Sequence, residues 1–175
     1  HGLVRARSTR RFPWGHVTAL VVWFAVFAIA YFAFDRYQRP RVAVVSTESI
    51  ARGEIVIPRS RDGHYYVAGS INGKAVDFMV DTGASTVSVD ADFARRAGFP
   101  SGRPEQLRTA GGVVMGEVVS DQTVEAAGIR VHGLRVVVGI KTGLGEPALL
   151  GANFLRHVDL ILSDDKMILR AKQAE

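Results

Sequence analysis

Two textures of hydrophobic placement divide the chain. From Val17 to Phe34 it reads VTALVVWFAVFAIAYFAF, 18 positions without charge, glycine or proline and with Thr18 as the one polar side chain. As a helix this run spans roughly 27 Å, close to the hydrocarbon thickness of a bilayer. Pro13 and Trp14 precede it, and Tyr31 and Tyr37 stand near its far end, where aromatic side chains favour the headgroup layer. A buried core helix would need a polar face, and none is present. A signal peptide with cleavage near Ala28-Ile29-Ala30 is the rival, but the apolar run continues past that point to Phe34. The pattern therefore predicts a single uncleaved transmembrane helix over 17–34, after a basic tail over 1–16.

From Ile55 onward the apolar runs become short and alternate with polar residues. His64–Ser70 and Lys74–Val80 read as strands, joined by an Asn72-Gly73 hairpin turn. Val87–Val89 is a third β-rich piece. Asp90 and Asp92, then Phe93–Ala97 with its arginines, then Gly98 describe a short helix. Pro100, Gly102 and Pro104 predict a loop. Further strands are expected at Val113–Val119, Gln122–Ala126 and Leu134–Ile140; Gly143, Gly145 and Pro147 then break the chain before Ala148–Gly151, and Val158–Leu162 with Met167–Arg170 reads as a final hairpin. Residues 35–54 are weakly periodic and read as a linker, with Val42–Val45 able to pair as a short strand. Residues 55–175 thus form one mainly β domain, a sandwich or small barrel with one or two short helices.

Charge changes the picture less than the total suggests. The chain carries 22 basic and 17 acidic residues. Arg5, Arg7, Arg10 and Arg11 lie in residues 1–34 without an acid among them, leaving 18 basic against 17 acidic groups in the rest. The body is nearly neutral, so no nucleic-acid partner is expected. The four arginines before the apolar run, against Arg36, Arg39 and Arg41 after it, favour a cytoplasmic N-terminus. In a bacterium this places a single-pass protein in the inner membrane with its β domain in the periplasm. The absence of cysteine excludes disulfides, thiolate catalysis and zinc–thiolate sites.

The candidate chemistry lies in Phe78-Met79-Val80-Asp81-Thr82-Gly83-Ala84-Ser85-Thr86. An apolar strand delivers an acid at its end, and a turn follows at once. Thr82 and Ser85 set hydroxyls beside the Asp81 carboxylate, and Gly83 lets the backbone turn closely. Asp-Thr-Gly alone is most often only a turn. Here it follows three apolar residues, precedes Ala-Ser-Thr, and is accompanied downstream by Leu149-Leu150-Gly151.

With these motifs the chain resembles the retropepsin-like aspartic proteases, and within that clan the membrane-anchored bacterial branch. The resemblance covers about Ile55 to Arg170, and the single helix ahead of the domain matches that branch too. It implies an acid-protease barrel acting as a homodimeric endopeptidase on peptide or protein substrates, with no cofactor and no metal. It implies that Asp81 is the catalytic aspartate, that Thr82, Gly83, Ala84 and Ser85 complete the active-site loop, and that Thr82 bonds its counterpart across the dimer axis. Ala84 would lie near the substrate and Ser85 would support the loop from behind. Leu149, Leu150 and Gly151 would form the strand that threads beside the loop, with Asn153–Leu155 starting a short helix after it. Thr109, Ala110, Gly111 and Gly112 fall where the family has its mobile flap. Terminal strands often build the dimer in this family, which points to Ile55–Ile57 or Met167–Arg170. The alternative is a peptide-binding or assembly module that keeps the fold without turnover.

Other candidates are weaker. His1, His16, His64, His132 and His157 show no metal-ligand spacing. Ser85 lacks the second glycine of a nucleophile elbow. Gly143-Leu144-Gly145 lacks the third glycine of a nucleotide loop, since Ala148 stands there. Asp159 reads as a solvent-facing strand residue, and Asp164-Asp165 as an exposed turn.

Overall fold

The computed structural model describes residues 14–38, 42–44, 53–109, 111–140 and 148–172. The chain divides into two units, His1–Arg39 and Pro40–Glu175.

The first unit contains the helix α1 (Trp14–Gln38), which runs past both ends of the apolar 17–34 segment. Leu20, Trp23, Phe24, Phe27, Ile29 and Phe32 are all exposed, so apolar side chains surround the whole helix. Its most apolar 18-residue window, within Val17–Tyr37, has a mean hydropathy of 2.4, and the helix is long and apolar enough to cross a membrane.

Among its described residues the second unit is mainly β, with two short helices. Its strands are β1 (Val42–Ala43), β2 (Glu54–Pro58), β3 (Tyr66–Ile71), β4 (Lys74–Val80), β5 (Val87–Val89), β6 (Arg103–Thr109), β7 (Gly112–Ala126), β8 (Ile129–Val138), β9 (Ala148–Leu150), β10 (Val158–Ser163) and β11 (Lys166–Ala171). The helices are α2 (Ala91–Arg96) and α3 (Ala152–Leu155). The large sheet runs β1-β3-β4-β9-β5-β8-β7-β6, and an added β3–β7 pairing closes six of these strands into a barrel. A second sheet, β10-β11-β2, is antiparallel. The second unit is thus a mainly β barrel with short helices, as the sequence pattern predicts.

Local chemistry explains most elements. Asn72 and Gly73 both take positive φ, 50° and 78°, the geometry of a two-residue turn that matches strand twist. The Asn72 side chain also ties this turn to β7, donating to Gln122 Oε1 at 2.6 Å and accepting from the Thr123 amide at 3.0 Å. Asp90 caps α2 by accepting from the Phe93 amide at 2.5 Å. Closure of the barrel depends on Gly69, which pairs with Ala126. A Cβ there would strike the Glu125 carbonyl oxygen and lie 2.8 Å from the Phe78 ring. The core gathers Tyr66, Phe78, Phe154, Ile57, Leu150 and Leu169, all fully buried.

Three expectations need correction. Pro104 does not end a loop but lies within β6. The strand tolerates it because β6 is the outermost strand of its sheet, where a missing donor costs no ladder bond. The two segments 113–119 and 122–126 are one long strand, β7, with register irregularities between Val119 and Val124 and a positive φ of 61° at Asp121. β8 begins at Ile129 rather than Leu134 and ends at Val138. Within the expected linker, Val42 and Ala43 pair in parallel with Tyr66 and Val67, while Val45 lies outside the described residues.

Phe78 is fully buried, with its ring beside Gly69 at the closure, so Phe78→Ala should cost about 3–5 kcal/mol. Urea denaturation of the full chain checks this, and a loss below about 1 kcal/mol would remove Phe78 from the core.

Candidate active site

β4 ends at Val80, and Asp81 is the first residue beyond it. Its backbone is held before its side chain is considered. The Asp81 amide donates to the Leu150 carbonyl at 3.1 Å, and its carbonyl accepts from Ala84 at 3.3 Å. The side chain turns back into the loop, where Oδ1 accepts from the Gly83 amide at 2.8 Å. Among the described residues the second oxygen, Oδ2, has no such partner. Asp81 is half-buried, Thr82, Gly83 and Ser85 are exposed, and Ala84 is half-buried. The carboxylate is therefore fixed on one oxygen and free on the other, at the surface of a rigid barrel.

What makes an exposed turn rigid is β9. It pairs in parallel with β4 through Phe78↔Ala148, Met79↔Leu149 and Val80↔Leu150. It also pairs antiparallel with β5 through Ser88↔Leu149 and Val89↔Ala148. The strand entering the Asp81 loop and the strand leaving it are thus both stapled to Leu149 and its neighbours. Gly151 then crosses the loop against the Thr86 backbone. A Cβ at Gly151 would stand 2.6 Å from the Thr86 carbonyl carbon and 2.8 Å from its nitrogen. Immediately afterwards the Ala152 amide donates to Ala84 at 2.7 Å and the Asn153 amide to Ser85 at 3.1 Å. The residues expected to thread beside the loop, Leu149, Leu150 and Gly151, do so, and the helix expected at Asn153–Leu155 is α3.

The strand end receives further support from the segment between β2 and β3. The Tyr65 carbonyl accepts from the Val80 amide at 2.8 Å. That segment is tied by Asp62, which accepts from the Tyr66 hydroxyl at 2.6 Å and from the His64 amide at 3.0 Å. Burial works against the Asp62 charge, but the Tyr66 bond and the His64 amide outweigh it and hold the carboxyl below its ordinary value of 3.8. Because the pKa is depressed in the folded state, this tie contributes fully above 3.8 and is lost as pH falls below it.

Thr109, Gly111 and Gly112 lie at the end of the β6–β7 hairpin, and Ala110 lies outside the described residues. The Thr109 hydroxyl donates to the Gly112 carbonyl at 2.9 Å. Val113 and Met115 beside the tip are more than 60% exposed. Among the described residues the tip makes no hydrogen bond to the Asp81 loop. Sequence reading missed the Asn153 side chain, which bonds to both β5 and β8. Its only sequence signal is the asparagine two positions after Gly151.

Residues 67–157, which include Asp81 and Leu149–Gly151, match the family model described as "gag-polyprotein putative aspartyl protease". Among solved structures, the chain is similar to a retropepsin-like aspartic protease from Rickettsia conorii, at a TM-score of 0.52 and 28% identity, over 68% of this chain and 90% of that one. Among curated sequences it is 42% identical over 57 residues to the Rickettsia prowazekii protein RP867, covering 33% of this chain and 25% of that protein. It is 26% identical over 135 residues to a Sinorhizobium protein from the cobV 5' region, covering 75% of this chain and 58% of that one. The chain thus spans a quarter and somewhat over half of the lengths of these two relatives.

Gly151→Ala forces a methyl group into the Thr86 backbone. We expect a loss of about 1–3 kcal/mol in urea denaturation. The backbone amide signals of residues 83–87 should shift in the variant. Unchanged signals together with unchanged stability would show that the crossing tolerates a side chain.

Proposed function

Because the chain belongs to the retropepsin-like aspartyl protease family, we propose that it is a membrane-anchored aspartic endopeptidase whose working site is completed by a second copy of itself. One observation carries this reading: the Asp81 carboxylate is held by Gly83 on one oxygen, on a loop stapled from both sides by β9. The chain has one Asp-Thr-Gly. Peptide hydrolysis of this type needs two facing carboxyl groups, so the second Asp81 comes from the partner copy, with Thr82 of each loop bonded across the axis.

In the assembled pair the two carboxyls, about 3 Å apart, hold one proton between them, since both cannot ionise at that separation. The ionised member takes a proton from a water placed between the pair and the peptide. The protonated member donates to the scissile carbonyl as the tetrahedral intermediate forms. Ala84 borders the bound peptide, and the hairpin ending in Thr109, Ala110, Gly111 and Gly112 closes over it as a flap. The substrate is an extended peptide or protein segment.

The terminal sheet favours one of the two candidate dimer strands. β11, which contains Met167–Arg170, is hydrogen-bonded along both edges, to β10 and β2. β2 is an edge strand of that sheet, so Ile55–Ile57 is the strand we assign to pairing with the second copy. The helix α1 anchors the enzyme in a bacterial inner membrane, with the β domain in the periplasm. Anchoring confines the copies to two dimensions and raises their effective concentration.

Two measurements test the reading. Asp81→Asn should abolish cleavage of fluorescein-labelled casein while the melting temperature stays within about 2 °C, because the residue is not part of the packed core. Residual cleavage by that variant would remove Asp81 from the mechanism. Shortening the chain to residues 40–175 should make specific activity fall on dilution. A flat dilution series, with the domain monomeric throughout, would rule out the shared site.

A further inference from the structure

We infer that Asn153 is a positioning residue for the Asp81 loop, acting through one side-chain amide that extends the ladder between β5 and β8. The inference deepens the protease reading and rests on it for its catalytic consequence, though not for its geometry. The parallel pairing of β5 with β8 begins at Val87↔Val136. At that end of the ladder the Asn153 carboxamide takes over. Its Oδ1 accepts from the Val87 amide at 2.8 Å, and its Nδ2 donates to the Arg135 carbonyl at 2.8 Å. Val87 N–H can only donate and Arg135 C=O can only accept, so the partners themselves fix which way the carboxamide points. One donor and one acceptor are what a peptide unit would offer at the same place.

The position of this bond matters more than its strength. The loop leaves β4 at Asp81 and enters β5 at Val87. The first end is held by the Leu150 carbonyl and the middle by the Ala152 and Asn153 amides. Those are backbone bonds that neither alanine nor aspartate at 153 removes. Val87 ends the loop, and the Asn153 side chain holds its amide. The side chain does not cap its own helix, whose N-cap Gly151 has no side-chain bond. It is spent entirely on β5 and β8. The Arg135 guanidinium, on the same residue whose carbonyl receives the clamp, pairs with Glu105 on β6 at 3.1 Å. Asn153 therefore joins the loop to the strand that also steadies the hairpin.

The test compares Asn153→Ala and Asn153→Asp in the full chain held in detergent micelles. The aspartate keeps an acceptor for Val87 and loses the donor to Arg135. Amide hydrogen exchange should quicken by roughly tenfold or more at Val87 and its loop neighbours in Asn153→Ala, with β10 and β11 unchanged. In Asn153→Asp the Val87 amide should recover protection. With fluorescein-labelled casein, kcat should fall on the order of tenfold in Asn153→Ala at unchanged KM, and part of it should return in Asn153→Asp. Unchanged exchange at Val87 in Asn153→Ala, or an Asn153→Asp variant no better protected than the alanine, would overturn the inference. If the parent chain cleaves nothing, the protease reading fails, and the exchange pattern still decides the clamp.

Discussion

The whole site depends on Gly151 lying flat against the backbone of Thr86. That contact brings β9 between the strand that delivers Asp81 and the strand that leaves the loop. Without it, the Leu150 carbonyl would not reach the Asp81 amide, and α3 would not reach Ala84 and Ser85. Asp, Thr and Gly are turn formers with little stiffness of their own. A catalytic carboxylate must be exposed to its substrate and yet hold one geometry. The barrel reconciles these demands by supplying hydrogen bonds from a strand nearly 70 residues further along the chain.

The same economy appears elsewhere in the domain. Gly69 lets β3 touch β7 and Phe78 together, closing the barrel that carries β4. Asn72 ties the β3–β4 turn to the bend in β7, so the long strand changes direction at a pinned point. The Tyr65 carbonyl and the Asp62–Tyr66 bond steady the far end of β4. Each device braces the strands around Asp81, and among the described residues only the Gly83 amide hydrogen-bonds its carboxylate. The second carboxylate oxygen is left without a hydrogen bond among the described residues.

In the proposed reading the chain needs a second copy nearby. An open edge at β2 and an apolar helix ahead of the domain serve that need in different ways. Among the described strands β2 has a neighbour on one side only, and the helix is long and apolar enough to cross a membrane. Both are cheap in sequence. One requires only that β11, rather than β2, lie in the middle of its sheet, and the other requires only an unbroken apolar run.

Features whose physical cause lies within a few residues were legible in the sequence. The apolar run of α1, the Asn72-Gly73 turn, the strand ending in Asp81, and α2 between Asp90 and Gly98 all follow from local periodicity, turn chemistry or capping. The Asp-Thr-Gly and Leu-Leu-Gly motifs marked the Asp81 loop and the strand that the structure sets beside it. The sequence did not reveal β6, because Pro104 and alternating charges resemble a loop unless the strand is known to be outermost in its sheet. It did not join the two parts of β7, because only pairing with β8 carries the strand through Asp121. It also gave no sign that the Asn153 carboxamide would stand in for a peptide unit at Val87 and Arg135. These were decided by which distant strands lie side by side, since hydrogen bonds between separated segments exist only once the barrel has closed.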